Sequence, residues 1–413
     1  MLQLQTPHVQ PRIKPNAPHL PKALRHDVCV NALAVVCPQK RPTCSHGLKR
    51  TKNMRLDHPN TRAAIVFAAL LSVTGSAIAA EAQDKFALAE RIQKKKTEGK
   101  TLQIVVGVAG TGIPIQGPAI RIGVEQACKQ IVESGLKASC RIVGPVNPNP
   151  AQQLAELETL QAAGQVDCLA IQPPLPSQFN NIVNRYAESG VPVFTFNIDT
   201  PDAKRIAYYA LNEEKAGERN GALTAKLLQQ KGVQVSGVAM GSGAPDQPWA
   251  QARMKGFVEG FKSVLPNSKF YNEYKSGIPT GKNFTTQEVL NAVTPFLSAH
   301  SDINVFFHTD QGIEGVGNVI RNLHLQGKVY SSGFNVSGPI LASIDEGITL
   351  LTIDQGFDKQ ASGAVKGCAK VLTGGEVDKN PNQYLDPIVI TKDSIDGSLG
   401  IGDARKRFAS QSR

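Results

Sequence analysis

Residues 166–197 read VDCLAIQPPLPSQFNNIVNRYAESGVPVFTFN. The stretch opens on one short apolar run, Cys168–Gln172, and closes on another, Val191–Phe196. Short apolar runs without polar alternation suit strands buried on both faces, as parallel strands are. The segment between them ends in Ser189-Gly190, a helix breaker ahead of Val191-Pro192. Strand, helix, strand in about 30 residues is the βαβ unit.

The unit recurs in both directions. Upstream, strands fit Leu102–Val108 and Arg141–Gly144. Ile120, Val124, Ala127, Cys128 and Ile131 form a helical stripe between strands, as do Leu154, Leu157 and Leu160. Downstream, strands fit Gln234–Met240, Lys269–Tyr274, Asn304–His308, Lys328–Gly333 and Thr349–Ile353. Helices fit Glu213–Gln230, Gln247–Val264, Thr285–Ala299, Ile313–Leu325 and Lys359–Leu372. So many strands exceed one comfortable sheet, which predicts an α/β protein with two doubly wound parallel-sheet lobes. Residues 80–100 hold a charged amphipathic helix leading into them, with Phe86, Leu88 and Ile92 on its apolar face.

The chain of 413 residues carries a formal charge of +11. Residues 1–53 hold nine Lys/Arg against Asp27 alone, and residues 80–413 hold 34 bases against 32 acids. The folded body is therefore near neutral, and its composition excludes a polyanion partner such as nucleic acid. Seven prolines in residues 1–53 argue against a packed fold there. Cys29, Cys37, Cys44 and His46 lack metal-ligand spacing, and no metal or other cofactor is expected.

Residues 54–79 have the three parts of a secretory signal peptide. Arg55 and Arg62 precede the uncharged run Ala63–Val73, and Ala77-Ile78-Ala79 offers a cleavage site. The run is far short of the roughly 20 residues that span a bilayer. Met54 is accordingly read as the initiator and 1–53 as a mis-called extension, with the mature protein exported to the periplasm. Cys128, Cys140, Cys168 and Cys368 remain in the body. They read as small buried apolar residues, with Cys128 and Cys140 the first pair to check for a bridge.

In open α/β sheets ligands bind beyond the carboxyl ends of the strands. Those ends carry Thr111 and Gln116, Asn197 and Asp199, Asp246 and Gln247, then Asp310, Asn335 and Gln355. Amides and carboxylates of this kind suit hydroxyl groups, which both donate and accept. Signals for catalysis are weak. Gly110-Thr111-Gly112 lacks the third Gly and the acidic residue of a dinucleotide site. Gly277–Asn283 is one residue short of a phosphate loop and ends in Asn. Gly241-Ser242-Gly243 is no nucleophile elbow. Asp199 and Asp310 could form an acid/base pair only if the fold joins them. No enzyme is expected.

Several motifs, in order, resemble the type I periplasmic substrate-binding proteins of sugar ABC transporters, in the ribose/galactose/autoinducer-2 group. They are Asn147–Gln153 (NPNPAQQ), Val166–Pro173, Gly190–Asn197, Lys215-Ala216-Gly217, Ser332–Asn335, Thr352–Gln355 and Ile390–Asp396. The resemblance implies two lobes joined by three crossovers, near residues 205–210, 353–357 and 388–391. Residues 101–207 with 356–388 would form the N-lobe, and 208–355 with 389–413 the C-lobe. It also implies ligand contacts at Asn197, Asp199, Asp246, Gln247, Asp310, Asn335 and Gln355. The register puts Gln251 where sugar binders have an Arg, with Arg253 beside it.

The loop Gly112–Pro118 holds neither of the aromatics that stack on a pyranose in ribose binders. Trp249, the sole Trp, either supplies a stacking face or packs on its own lobe. These departures disfavour a standard aldohexose and favour a pentose, polyol or autoinducer-like ligand. The implied partners are a small sugar or polyol and an ABC transporter permease, with a chemoreceptor also compatible and a monomeric state usual. A lactose-repressor-like sensor shares the two-lobe core but needs a DNA-binding segment that 81–100 is too short to supply. An α/β enzyme is the other alternative.

Overall fold

A computed structural model of the chain describes residues 85–411. The readings made of residues 1–53 and of the signal peptide at 54–79 lie outside the described residues. The first lobe begins with α1 (Glu90–Thr97), β1 (Leu102–Gly107), α2 (Gln116–Glu133) and β2 (Ala138–Val143). It continues through α3 (Pro150–Ala162), β3 (Cys168–Ile171), α4 (Pro176–Glu188), β4 (Val193–Phe196) and β5 (Ala207–Leu211). The second lobe runs α5 (Glu213–Gln230), β6 (Val238–Ser242), α6 (Pro248–Val264), β7 (Ile278–Pro279) and α7 (Thr286–Ala299). It goes on with β8 (Val305–His308), α8 (Ile313–Asn322), β9 (Tyr330–Phe334), α9 (Gly338–Asp345) and β10 (Thr349–Asp354). The chain then returns to the first lobe for α10 (Phe357–Leu372) and β11 (Asn382–Leu385). It ends in the second with β12 (Ile388–Thr391), β13 (Leu399–Gly400) and α11 (Ile401–Gln411).

One sheet has the order β11-β5-β4-β3-β1-β2 with every pairing parallel. The other has the order β13-β12-β10-β9-β8-β6-β7, antiparallel only between β10 and β12. Every residue of β3, β4, β8 and β9 is buried, as helices on both faces require. Two such sheets in one chain make the doubly wound α/β architecture read from the sequence.

The boundaries differ from expectation in places. Residues 205–210 are no crossover: 207–211 form β5, and the chain leaves the first sheet between Leu211 and Glu213. Ile388 likewise opens β12 of the second sheet, so the last crossing lies at 386–387. The strand expected at Lys269–Tyr274 is reduced to a bridge between Val238 and Phe270. There the Asn272 side chain replaces the ladder, accepting from Met240 N at 2.9 Å and donating to Met240 O at 3.1 Å. The helix expected over 80–100 shortens to α1, and Phe86 and Leu88 precede it. Arg91 and Lys95 of α1 hold the fully buried Asp167 carboxylate at 2.6 and 2.9 Å, which docks the helix on the sheet.

The cysteines are not free. Cys128 of α2 is bonded to Cys140 of β2, and Cys168 of β3 to Cys368 of α10. The second bridge fastens the returning helix to the middle of the first sheet. A separation of 200 residues hides that partnership from any local reading.

Candidate functional site

Because parallel strands share a direction, the N-termini of α2, α3, α5, α6, α8 and α10 all reach the carboxyl edges of the two sheets. The residues there line one cleft of about 580 Å³. Of the residues singled out in the sequence, Gln116, Asn197, Gln247, Trp249, Arg253, Asp310, Asn335 and Gln355 line it.

Three do not. Thr111 turns back on the neighbouring loop, its N–H and hydroxyl both on Pro145 O at 2.8 and 3.3 Å. Asp199 is taken by Arg205 at 2.6 Å and by the Thr195 hydroxyl at 2.6 Å, behind the strand end. Asp246 is exposed on the loop before α6. Asp199 and Asp310 are therefore not brought together in the cleft.

Arg253 joins several parts of the site. It donates from Nε to Glu213 at 2.6 Å, from Nη1 to Thr309 O at 2.7 Å and from Nη2 to Gln355 Oε1 at 2.6 Å. Its guanidinium lies between the rings of Phe334 and Trp249, 4.2 and 5.0 Å from their centroids. Trp249 thus both lines the cleft and packs on its own lobe.

The Asp310 carboxylate accepts from the Gly243 and Gly312 N–H groups at 2.9 and 3.0 Å and from the Thr309 hydroxyl at 3.1 Å. Behind it, His308 is fully buried, with Nε2 2.9 Å from the Thr280 hydroxyl. Burial holds the His308 imidazole below its ordinary pKa, against the smaller opposing pull of Asp310. The lowered pKa favours the neutral ring, whose Nδ1 stands 3.3 Å from both the N–H and the carbonyl oxygen of Asp310 and 3.4 Å from its carboxylate.

Asn197 and Asn335 follow Phe196 and Phe334 at the ends of β4 and β9. Both adopt left-handed backbone, φ 62° and 78°, a conformation Asn tolerates better than other side chains. The Tyr208 hydroxyl donates to Asn197 O at 2.9 Å. Burial, reinforced by the Glu213 and Asp199 carboxylates, pushes the Tyr208 phenol well up, so it stays a donor.

Sequence reasoning missed Gln172, Glu213, Asn147, Phe284 and Phe357. Gln172 ends its strand as Asn197 does, so the strand-end rule could have found it. Glu213 is the first residue of α5, just after the crossing at Leu211–Glu213, which lies beyond the 205–210 that the resemblance implies. Phe284 stands in a loop without periodic signal. Phe284, Phe357 and Trp249 all line the cleft, although the loop after β1 offers no aromatic.

The family described as the periplasmic binding protein domain matches residues 87–376, most of the chain and both lobes. This chain belongs to the periplasmic binding protein family. No curated protein matches it. Among solved structures, this periplasmic binding protein is similar to GanP, a glucose-galactose binding protein from Geobacillus stearothermophilus. Identity is 23%, covering 72% of this chain and 99% of that one, with a TM-score of 0.60. A solute-binding protein from Burkholderia graminis in complex with D-arabinose is 21% identical, covering 71% and 96%, with a TM-score of 0.61. One from Actinobacillus succinogenes with bound D-allose is 21% identical, covering 71% and 98%, with a TM-score of 0.60. At these identities the likeness is one of fold.

Proposed function

We propose that the protein is an exported solute receptor of an ABC importer. It binds a small hydroxylated ligand, a pentose, polyol or related sugar, in the cleft and delivers it to a membrane permease without catalysing a reaction. The observation that carries this reading is one cleft between two α/β lobes, floored by amides and carboxylates and walled by Trp249, Phe284 and Phe357. Hydroxyls satisfy buried amides and carboxylates that would otherwise cost free energy on closure, and aromatic faces cover the C–H surface of a sugar. The D-arabinose and D-allose held by the two relatives of the same fold support this class. Residues 54–79, read as a signal peptide, support export.

Thermal unfolding of the purified protein against a panel of sugars and polyols tests it. A ligand at about 1,000 times its dissociation constant adds roughly 4 kcal/mol, a shift of several degrees. A flat panel, with no co-purified solute in the mass spectrum, would remove the carbohydrate reading.

A further inference from the structure

The polarity of the two asparagine amides is fixed from behind. Gln172 Oε1 accepts the Ala109 N–H at 3.1 Å, and a backbone N–H can only donate. Its Nε2 is thereby turned to Asn197 Oδ1 at 2.7 Å, which leaves the Asn197 Nδ2 group to the cleft. In the other lobe Gln355 Oε1 accepts from the Arg253 guanidinium, which also can only donate. Gln355 Nε2 is thereby turned to Asn335 Oδ1, again leaving Nδ2. Among the described residues neither Nδ2 has a hydrogen-bond partner. Each lobe so presents an amide that donates and cannot accept without breaking a chain anchored on a group of unambiguous polarity.

The formal charges lining the cleft sum to zero, Arg253 and Lys282 against Glu213 and Asp310, but they differ in how each is held. Arg253 is balanced by Glu213 at 2.6 Å, and Asp310 is occupied by donors of its own lobe. Lys282, also lining the cleft, has no ion-pair partner among the described residues. A hydroxyl meets a fixed donor only by turning its own proton away, whereas a carboxylate has no proton to turn.

We propose, resting on the receptor reading above, that the ligand is a sugar acid whose carboxylate oxygens are received by the Asn197 and Asn335 amides, with Lys282 at the rim. Calorimetry on the purified protein with matched pairs tests this: galactose and galacturonate, glucose and gluconate, arabinose and arabinonate. At least one acid should bind about tenfold or more tighter than its neutral partner, with affinity falling as salt rises. Neutral sugars binding as tightly as their acids, or silence across all pairs, would overturn the acid assignment; the receptor reading falls only if the wider sugar and polyol panel is flat as well.

The near-isosteric Asn335→Asp keeps an oxygen for Gln355 and replaces the free donor by a carboxylate oxygen. Its ratio of acid to neutral affinity should fall by about 100-fold or more. An unchanged ratio in a variant that melts like the parent would overturn the role given to that amide. Lys282→Gln, on an exposed loop, should lower acid affinity severalfold and flatten its salt dependence, and acid binding insensitive to it would remove Lys282 from the assignment.

Discussion

Glu213 and Arg253 form an ion pair at 2.6 Å with side chains only 11% and 3% exposed. Glu213 opens α5 just after the chain crosses from the first lobe, and through Gln355 the same arginine reaches the second crossing. One guanidinium therefore ties two of the three crossings and orients the amide that presents Asn335. Removing one partner leaves a buried charge unpaired, while removing both does not. Glu213→Gln should destabilise the protein by about 3–5 kcal/mol in urea unfolding, and Glu213→Gln/Arg253→Met by much less than the sum of the single changes. Strict additivity would show that the pair is not coupled.

Helices α5 and α6 touch backbone to backbone. A Cβ on Gly221 would lie 2.1 Å from Phe257 O, and one on Gly260 1.9 Å from Glu218 O. Since Glu213 and Arg253 stand near the starts of these helices, their spacing is set by these glycines. Gly221→Ala and Gly260→Ala should each cost about 1–3 kcal/mol or more by forcing the helices apart. Gly338→Ala, where a Cβ meets nothing within 4 Å, should stay within about 0.5 kcal/mol of the parent. Melting curves of the three variants decide this, and equal effects would remove the packing argument.

The two disulfides should differ in weight and in access. Cys168–Cys368 closes a loop of 200 residues and Cys128–Cys140 one of 12. Loop-closure entropy makes loss of the longer link costlier by roughly 2.5 kcal/mol. Cys168 and Cys368 are fully buried, Cys128 and Cys140 only half-buried. Mild reductant followed by alkylation and peptide mapping should label the second pair first and the first pair only upon unfolding. Simultaneous labelling would contradict this order.

His308 predicts a pH dependence. Its folded pKa lies below the ordinary 6.5, so between the two values the unfolded chain binds more protons than the folded one. Stability therefore rises with pH through that window, is full above about pH 6.5, and is lost as the pH falls. Urea unfolding from pH 7 to pH 5 should show the decline, and His308→Gln should flatten it. An identical slope in the variant would assign the dependence to other groups.

Much of this was legible in the chain. The buried-strand runs at 102–108, 168–172 and 191–196 depend on side chains a few residues apart, so local periodicity suffices to read them. Strand ends were legible for the same reason, and with them Asn197, Asn335 and Gln355. The left-handed turn at the two asparagines also favours a residue type visible in sequence.

What the sequence by itself determined, then, is the alternation of strands and helices, the need for two sheets and the amide-rich character of their carboxyl edges. These follow from local spacing and from how much apolar surface each segment must bury. Only the tertiary structure decided that Thr111, Asp199 and Asp246 face away from the cleft and that Cys168 meets Cys368. It also decided that Arg253 is held by Glu213 and that the Oδ1 atoms of Asn197 and Asn335 are taken by Gln172 and Gln355. Each of these is set by a partner far away in the chain, and which face of a polar side chain is left over becomes fixed only when that partner arrives.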